Sequence, residues 1–198
     1  MSFVEELAAA EIGATFNFYR DGPRAALLRR RLAAYLHARE AATVLLVGEA
    51  PGYRGARVSG VPFTSERQLT GAGPAEATAT IVRAALAELD LEAETLCWNA
   101  VPTHPGTETS NRRPTRPEVE AGIRFVQGLA EGRRVLALGR VASAATGAPY
   151  VRHPSHGGAG EFRAGLLRFA AGGRIVRRFH AKDLERKARR DRAPLVPG

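Results

Sequence analysis

The sequence predicts an α/β fold: a three-layer α/β/α sandwich around a central, mostly parallel sheet of four strands. Four short apolar stretches have strand character, and longer stretches with helical spacing lie between them. Helices of that length between strands suit right-handed βαβ units, which place parallel strands in one sheet with helices on its faces.

Residues 3–12 and 23–40 carry helical spacing. The second stretch has an apolar stripe through Ala25, Leu27, Leu28, Leu32, Tyr35 and Leu36, with Pro23 suited to its first turn. Thr43 to Val47 is short, apolar and β-branched, and reads as a buried strand. A Gly- and Pro-rich loop runs from Gly48 to about Glu66. Residues 75–89 return to helical spacing, and Thr95 to Trp98 forms the second strand. A Pro/Thr/Asn/Arg loop from Pro102 to Arg116 precedes a helix opened by Pro117. Arg134 to Leu138 is the third strand, followed by Gly139 and a short helix at 140–146. Tyr150 to Arg152 is the fourth strand, and 160–170 the last patterned helix. We expect one domain over 1–198, with a helical N-terminal segment 1–40 and a basic C-terminal tail 174–198.

Composition bounds the function. The chain has 198 residues, 44% hydrophobic and 25% charged, enough for a sizeable core. Lys+Arg of 29 against Asp+Glu of 20 gives +9, which favours an anionic partner such as nucleic acid; the alternative is an Arg-rich composition bias. Cys97 is the only cysteine, so no internal disulfide, CxxC zinc site or four-thiolate iron–sulfur cluster is available. The five histidines are scattered without ligand spacing, and no metal or cofactor is expected. No stretch approaches the ~18 apolar residues of a membrane span. The start, Met1 to Glu6, lacks the basic region of a signal peptide. The expectation is a cytoplasmic monomer that does not engage membranes.

Open α/β sheets bind ligands beyond the carboxyl ends of their strands. Three of the four predicted strand ends carry the unusual residues: Gly48-Glu49-Ala50-Pro51-Gly52, Asn99, and His153-Pro154-Ser155. The first loop closes with Gly60-Val61-Pro62-Phe63-Thr64-Ser65-Glu66, and it is neither GxGxxG nor followed by GK[ST]. After Asn99-Ala100-Val101-Pro102 comes Ser110-Asn111-Arg112-Arg113-Pro114-Thr115-Arg116-Pro117, then Leu136-Ala137-Leu138-Gly139-Arg140-Val141-Ala142. In this order the motifs resemble the uracil-DNA glycosylase superfamily over roughly residues 43–170. The first loop is similar to the thermostable family 4 type, and its end to the family 5 loop. The chain departs from family 4 in lacking the four cluster cysteines. Ala50 stands where the most familiar uracil glycosylases place a catalytic Asp, and Gly52 where they place a Tyr beside the base. His156-Gly157-Gly158-Ala159-Gly160 replaces a leucine-bearing wedge loop.

The resemblance implies hydrolysis of the N-glycosidic bond of a base extruded from DNA into a pocket. That reaction builds positive charge on the sugar and negative charge on uracil O2. Phe63 is the expected plate stacked on the flipped ring; the alternative is a core aromatic. Asn99 is the expected edge reader, accepting from N3–H and donating to O4, a pattern cytosine reverses; the alternative is a loop cap. His153 is the expected donor to O2, against a structural strand-end histidine. Gly48, Ala50, Pro51, Gly52 and Ser155 are expected around the base. Glu49 and Glu66 compete for positioning water, and either could instead cap a helix or pair with an Arg.

Asn111, Arg112, Arg113 and Arg116 are the expected phosphate contacts beside Asn99. His156 and His104 are candidates for phosphate or the second strand, or else surface-loop residues. The partner is then DNA containing uracil or another deaminated base. Two rivals stand beside this reading: a non-catalytic nucleic-acid-binding relative, and a glycosylase preferring hypoxanthine or xanthine, which Gly52 permits.

Residues 174–192 hold nine basic residues against three acidic ones. If they grip phosphate, truncation after Gly173 flattens the salt dependence of DNA affinity by roughly one slope unit per lost contact. An unchanged slope in a folded truncation returns the stretch to a solvated extension.

Overall fold

The computed structural model describes residues 1–172; the basic stretch 174–198 lies outside the described residues. Helix α1 (Phe3–Ala9) starts at a capping box, in which the Ser2 hydroxyl accepts from Glu5 N–H and the Glu5 carboxylate accepts from Ser2 N–H. Helix α2 (Ala25–Ala38) begins after Arg24, so Pro23 lies before the cap residue rather than in the first turn. Strand β1 (Val44–Gly48) follows.

The loop expected up to Glu66 contains a short helix, α3 (Ala56–Ser59), and a second, α4 (Glu66–Thr70), starts where it ends. Helices of four and five residues complete too few turns to show a period. Their cues were local: glycines in the left-handed region, Gly60 and Gly71, close both. Helix α5 (Ala77–Glu88), β2 (Thr95–Asn99), α6 (Arg116–Ala130), β3 (Arg134–Leu138), α7 (Arg140–Thr146), β4 (Tyr150–Val151) and α8 (Ala159–Ala171) complete the order.

The four strands form one sheet in the order β2-β1-β3-β4, and every pairing is parallel. Successive side chains on a strand point to opposite faces, and the core divides accordingly. Leu45, Val47, Leu96 and Trp98 pack with Leu7, Leu28, Leu32, Phe125 and Val126 of α1, α2 and α6. Leu46, Cys97, Leu136 and Leu138 pack with Val82 and Leu86 of α5 and Phe162 and Leu166 of α8. Helices therefore cover both faces, which is the expected three-layer sandwich.

At the edge strand β2, the Tyr35 hydroxyl accepts from Cys97 N–H at 2.7 Å and donates to the Cys97 carbonyl at 3.2 Å. One side chain thus satisfies backbone groups that an open edge leaves unpaired. The Cys97 thiol is buried there, and burial pushes its pKa up, away from reactivity. Among the described residues, no helix is long and apolar enough to cross a membrane.

Candidate active site

Parallel register sets Gly48 directly beside Asn99, so β1 and β2 deliver their loops at one level. Beyond these carboxyl ends lies a cavity of about 320 Å³. The loop after β1 supplies Glu49, Ala50, Pro51, Gly52 and Phe63; β2 supplies Asn99; Leu138, Gly139 and His153 close the far wall.

Phe63 holds its ring on the cavity wall with a left-handed backbone, φ +50°, a conformation that non-glycine residues rarely adopt. Gly48 does not line the cavity. It makes room for the plate, since a Cβ at 48 would run into the Phe63 ring. The Asn99 side chain lies against the same point. Asn99 is 4% exposed, yet its carboxamide has no hydrogen-bond partner among the described residues. The residue lines the cavity, so its amide oxygen and N–H are open to whatever enters there.

His153 is oriented by its own loop. Its Nδ1 accepts from Ser155 N–H at 3.2 Å and lies 2.8 Å from Ser155 Oγ. A backbone N–H can only donate, so the neutral ring carries its proton on Nε2. Burial, and next the neighbouring His156, push the His153 pKa down, which keeps the ring neutral. Ser155 is therefore not in the cavity wall as expected; its hydroxyl and N–H hold the histidine. His156 is exposed, at φ +52°, with Nδ1 3.1 Å from Ser155 Oγ, and it too lies off the wall.

The two competing carboxylates separate. Glu49 is on the cavity wall, where burial raises its pKa and Arg113 pulls it back part of the way. Glu66 lies off the wall, and accepts hydrogen bonds from Arg24 at 2.9 Å and from Arg31 at 2.8 and 3.2 Å. Burial would raise its pKa, but those hydrogen bonds outweigh it and hold the carboxyl below the ordinary range. The expectation that Glu66 positions water is corrected by this placement: it ties α4 to α2.

The basic loop is divided in the same way. Arg112 gives both Nη atoms to Glu118, at 2.8 and 2.6 Å, and Arg116 pairs with Glu120 at 2.7 Å on the surface. Arg113 alone of the three has a guanidinium without a hydrogen bond or ion pair among the described residues, and it lines the cavity with Asn111 and Arg112. The Asn111 carboxamide oxygen accepts from Tyr53 N–H at 2.9 Å, joining this loop to the one after β1. His104 is wholly buried, with Nδ1 2.8 Å from the Pro51 carbonyl and Nε2 2.8 Å from that of Thr107. It cannot reach phosphate there, which corrects that expectation.

Glu118 was missed in the sequence, although Thr115-x-x-Glu118 is a capping-box pattern. Its carboxyl also accepts from Thr115 N–H at 2.8 Å, and the Arg112 hydrogen bond, partly opposed by burial, brings its pKa down to about 2. Glu118→Ala removes the capping-box acceptor and a charge-assisted hydrogen bond to Arg112, whose guanidinium stays in water, so the cost is about 1–2 kcal/mol. At neutral pH we expect a melting temperature lower by about 5 °C. The pKa is depressed, so the stabilisation is complete above the ordinary carboxylate value of 4.5 and is lost as pH falls towards about 2. Melting curves of both proteins at pH 7 and pH 3 check this; an unchanged gap between them refutes the linkage.

Glu76 was missed as well, and no local pattern announces it. It caps α5 and reaches the cavity from outside the motifs. Among the described residues no group of three His, Cys, Asp or Glu side chains is arranged to hold a metal ion.

The model of the Uracil DNA glycosylase superfamily matches residues 36–194. No curated protein matches the sequence. Among solved structures, the crystal structure of wild-type Pedobacter heparinus SMUG2 is similar, with a TM-score of 0.59 and 12% identity, covering 86% of this chain and 98% of that one. At such identity the likeness speaks for the fold. The family match spans most of the chain, and its glycosylase motifs come from three separate strand ends to one cavity. The chain belongs to the uracil DNA glycosylase superfamily, a family of DNA glycosylases.

Proposed function

We propose that this glycosylase is monofunctional and hydrolyses the N-glycosidic bond of uracil flipped out of DNA, leaving an abasic site for base excision repair. The observation that carries the reading is Asn99, whose carboxamide makes no hydrogen bond among the described residues and lines a cavity that Phe63 and His153 also line. Uracil presents the complement: N3–H for the amide oxygen, O4 for the amide N–H, and a face for the plate. Stacking of a base on an aromatic ring is worth ~1–3 kcal/mol. His153 donates to O2, where negative charge grows as the bond breaks. Glu49 takes a proton from the water that captures the sugar cation. No motif residue offers an amine nucleophile, since the only lysines are Lys182 and Lys187. The basic loop supplies phosphate contact through Arg113, with Asn111 and Arg112 framing the entrance.

Release of free uracil from a single-lesion oligonucleotide tests the reading; binding without release identifies a non-catalytic relative, the alternative that Ala50 suggests. Asn99→Asp separates the edge reader from the plate. A carboxylate cannot donate to O4 and opposes its lone pairs, so uracil excision falls about 100-fold, the scale of ~3 kcal/mol for a buried polar mismatch. Affinity for uracil-containing DNA falls with it, because Asn99 acts in the ground state as well. Any activity gained is on cytosine, whose amine suits the carboxylate. Undiminished uracil excision by the folded variant removes Asn99 from the pocket.

A further inference from the structure

The aromatic plate of the cavity is held from outside the cavity. Phe63 is buried, and its left-handed backbone, φ +50°, persists in a non-glycine residue only where the surroundings fix it. On one side of the turn, Ser59 Oγ donates to the Thr64 carbonyl at 2.6 Å. On the other side stands Arg83 of α5. Its Nε donates to the Phe63 carbonyl at 3.1 Å, and its Nη2 to the Pro62 carbonyl at 3.3 Å. The same two nitrogens donate to Thr64 Oγ1, at 3.1 and 2.6 Å.

This pattern matches the backbone it holds. Successive carbonyls of an extended chain point to opposite sides, whereas those of Pro62 and Phe63 meet one guanidinium. Returning Phe63 to extended backbone breaks one of the two bonds. Among the described residues the guanidinium pairs with no carboxylate, and its hydrogen bonds all end on residues 62–64. It lies 5.7 Å from the Tyr35 ring, and Arg83 does not line the cavity. Gly48 leaves space for the Phe63 ring, and Arg83 sets the backbone that carries it.

We propose that Arg83 is a positioning residue for base capture: its guanidinium holds the Pro62–Thr64 turn so that the Phe63 ring stands ready on the cavity wall. The proposal rests on the glycosylase reading above, in which that ring stacks on the flipped base. Arg83 touches no base and acts through the plate. Without its hydrogen bonds residue 63 relaxes to ordinary backbone, and the ring must be ordered anew whenever a base enters. The affinity lost is that of one stacked ring, about tenfold.

The test measures the dissociation constant of free uracil by calorimetry, and kcat/KM on a single-stranded oligonucleotide carrying one uracil. Arg83→Met keeps the stem and removes every donor; the constant is expected to rise about tenfold and kcat/KM to fall by a similar factor. Arg83→Lys keeps the charge, but one nitrogen cannot span acceptors on three residues, so its loss is about threefold. Thr64→Val, which removes only the hydroxyl that Arg83 holds, also loses about threefold. A merely structural tie is told apart by a double-mutant cycle. In Phe63→Ala the plate is already gone, so adding Arg83→Met changes uracil affinity by less than about twofold. Undiminished affinity in folded Arg83→Met overturns the proposal, as does a full tenfold loss that persists in Phe63→Ala. If Arg83→Met does not fold, unchanged affinity in both Arg83→Lys and Thr64→Val overturns it. A wild type that releases uracil while these variants match it refutes the role of Arg83 alone. One that releases no uracil overturns the glycosylase reading and this proposal with it.

Discussion

His153→Ala is expected to lower turnover on uracil-containing DNA by two to three orders of magnitude while leaving DNA affinity within about twofold. The asymmetry follows from when the charge exists. Uracil O2 is a weak acceptor in the ground state and an anionic one as the bond breaks, so the donor acts mainly on the transition state. Removing one preorganised donor from such a site costs about 3–4 kcal/mol. The donor is preorganised because Ser155 N–H fixes the Nδ1 lone pair and leaves Nε2–H for the base. His153 is half-buried in a loop, so the melting temperature should stay within a few degrees. Single-turnover rates and equilibrium binding, measured side by side, separate the two effects. Wild-type turnover by the folded variant places the reaction elsewhere.

Glu49→Gln is expected to cost between 10² and 10⁴ in turnover, the range of a lost general base. Its pH signature distinguishes it from a positioning effect. A base works deprotonated, and burial raises the Glu49 pKa against the partial pull of Arg113. The wild-type rate therefore falls, as pH is lowered, at a higher pH than an ordinary carboxylate dictates. In Glu49→Gln that acid limb disappears and the residual rate is flat. In Arg113→Ala the limb moves upward, because the one opposing charge is gone. A limb that survives in Glu49→Gln assigns it to another group.

The sheet was legible because buried parallel strands are continuous apolar runs, as at Val44–Gly48 and Arg134–Leu138. Asn99 ends β2 and His153 follows β4 after Arg152, and polar residues at strand ends marked both for the cavity wall where they lie. What failed were partnerships between distant segments. Glu49 and Glu66 look alike in the sequence, and only the fold brings Arg24, at the cap of α2, and Arg31 within it to Glu66. Arg112 and Arg113 are neighbours, but Glu118 claims the first and not the second. His104 resembled a surface histidine until two carbonyl groups closed on it. Glu76 had no cue at all, since its carboxyl packs against Gly52 and Gly55 of the distant loop after β1.

The buried ring of His104 also sets how the walls of the site are joined. It bridges the Pro51 and Thr107 carbonyls, and Asn111 adds a second tie through Tyr53 N–H. These ties join the loops after β1 and β2 into one wall of the cavity. The segment after β4 has bonds within itself, from Ser155 N–H to His153 and from Gly158 N–H to the Ser155 carbonyl, and Arg152 pairs with Glu161 of α8 at 3.5 Å. Phe63 and Asn99 thus stand on the wall made by the two tied loops, and His153 on the segment after β4. In the proposed reaction the two walls divide the labour: the first lodges the ring, and the second answers the charge that its departure builds.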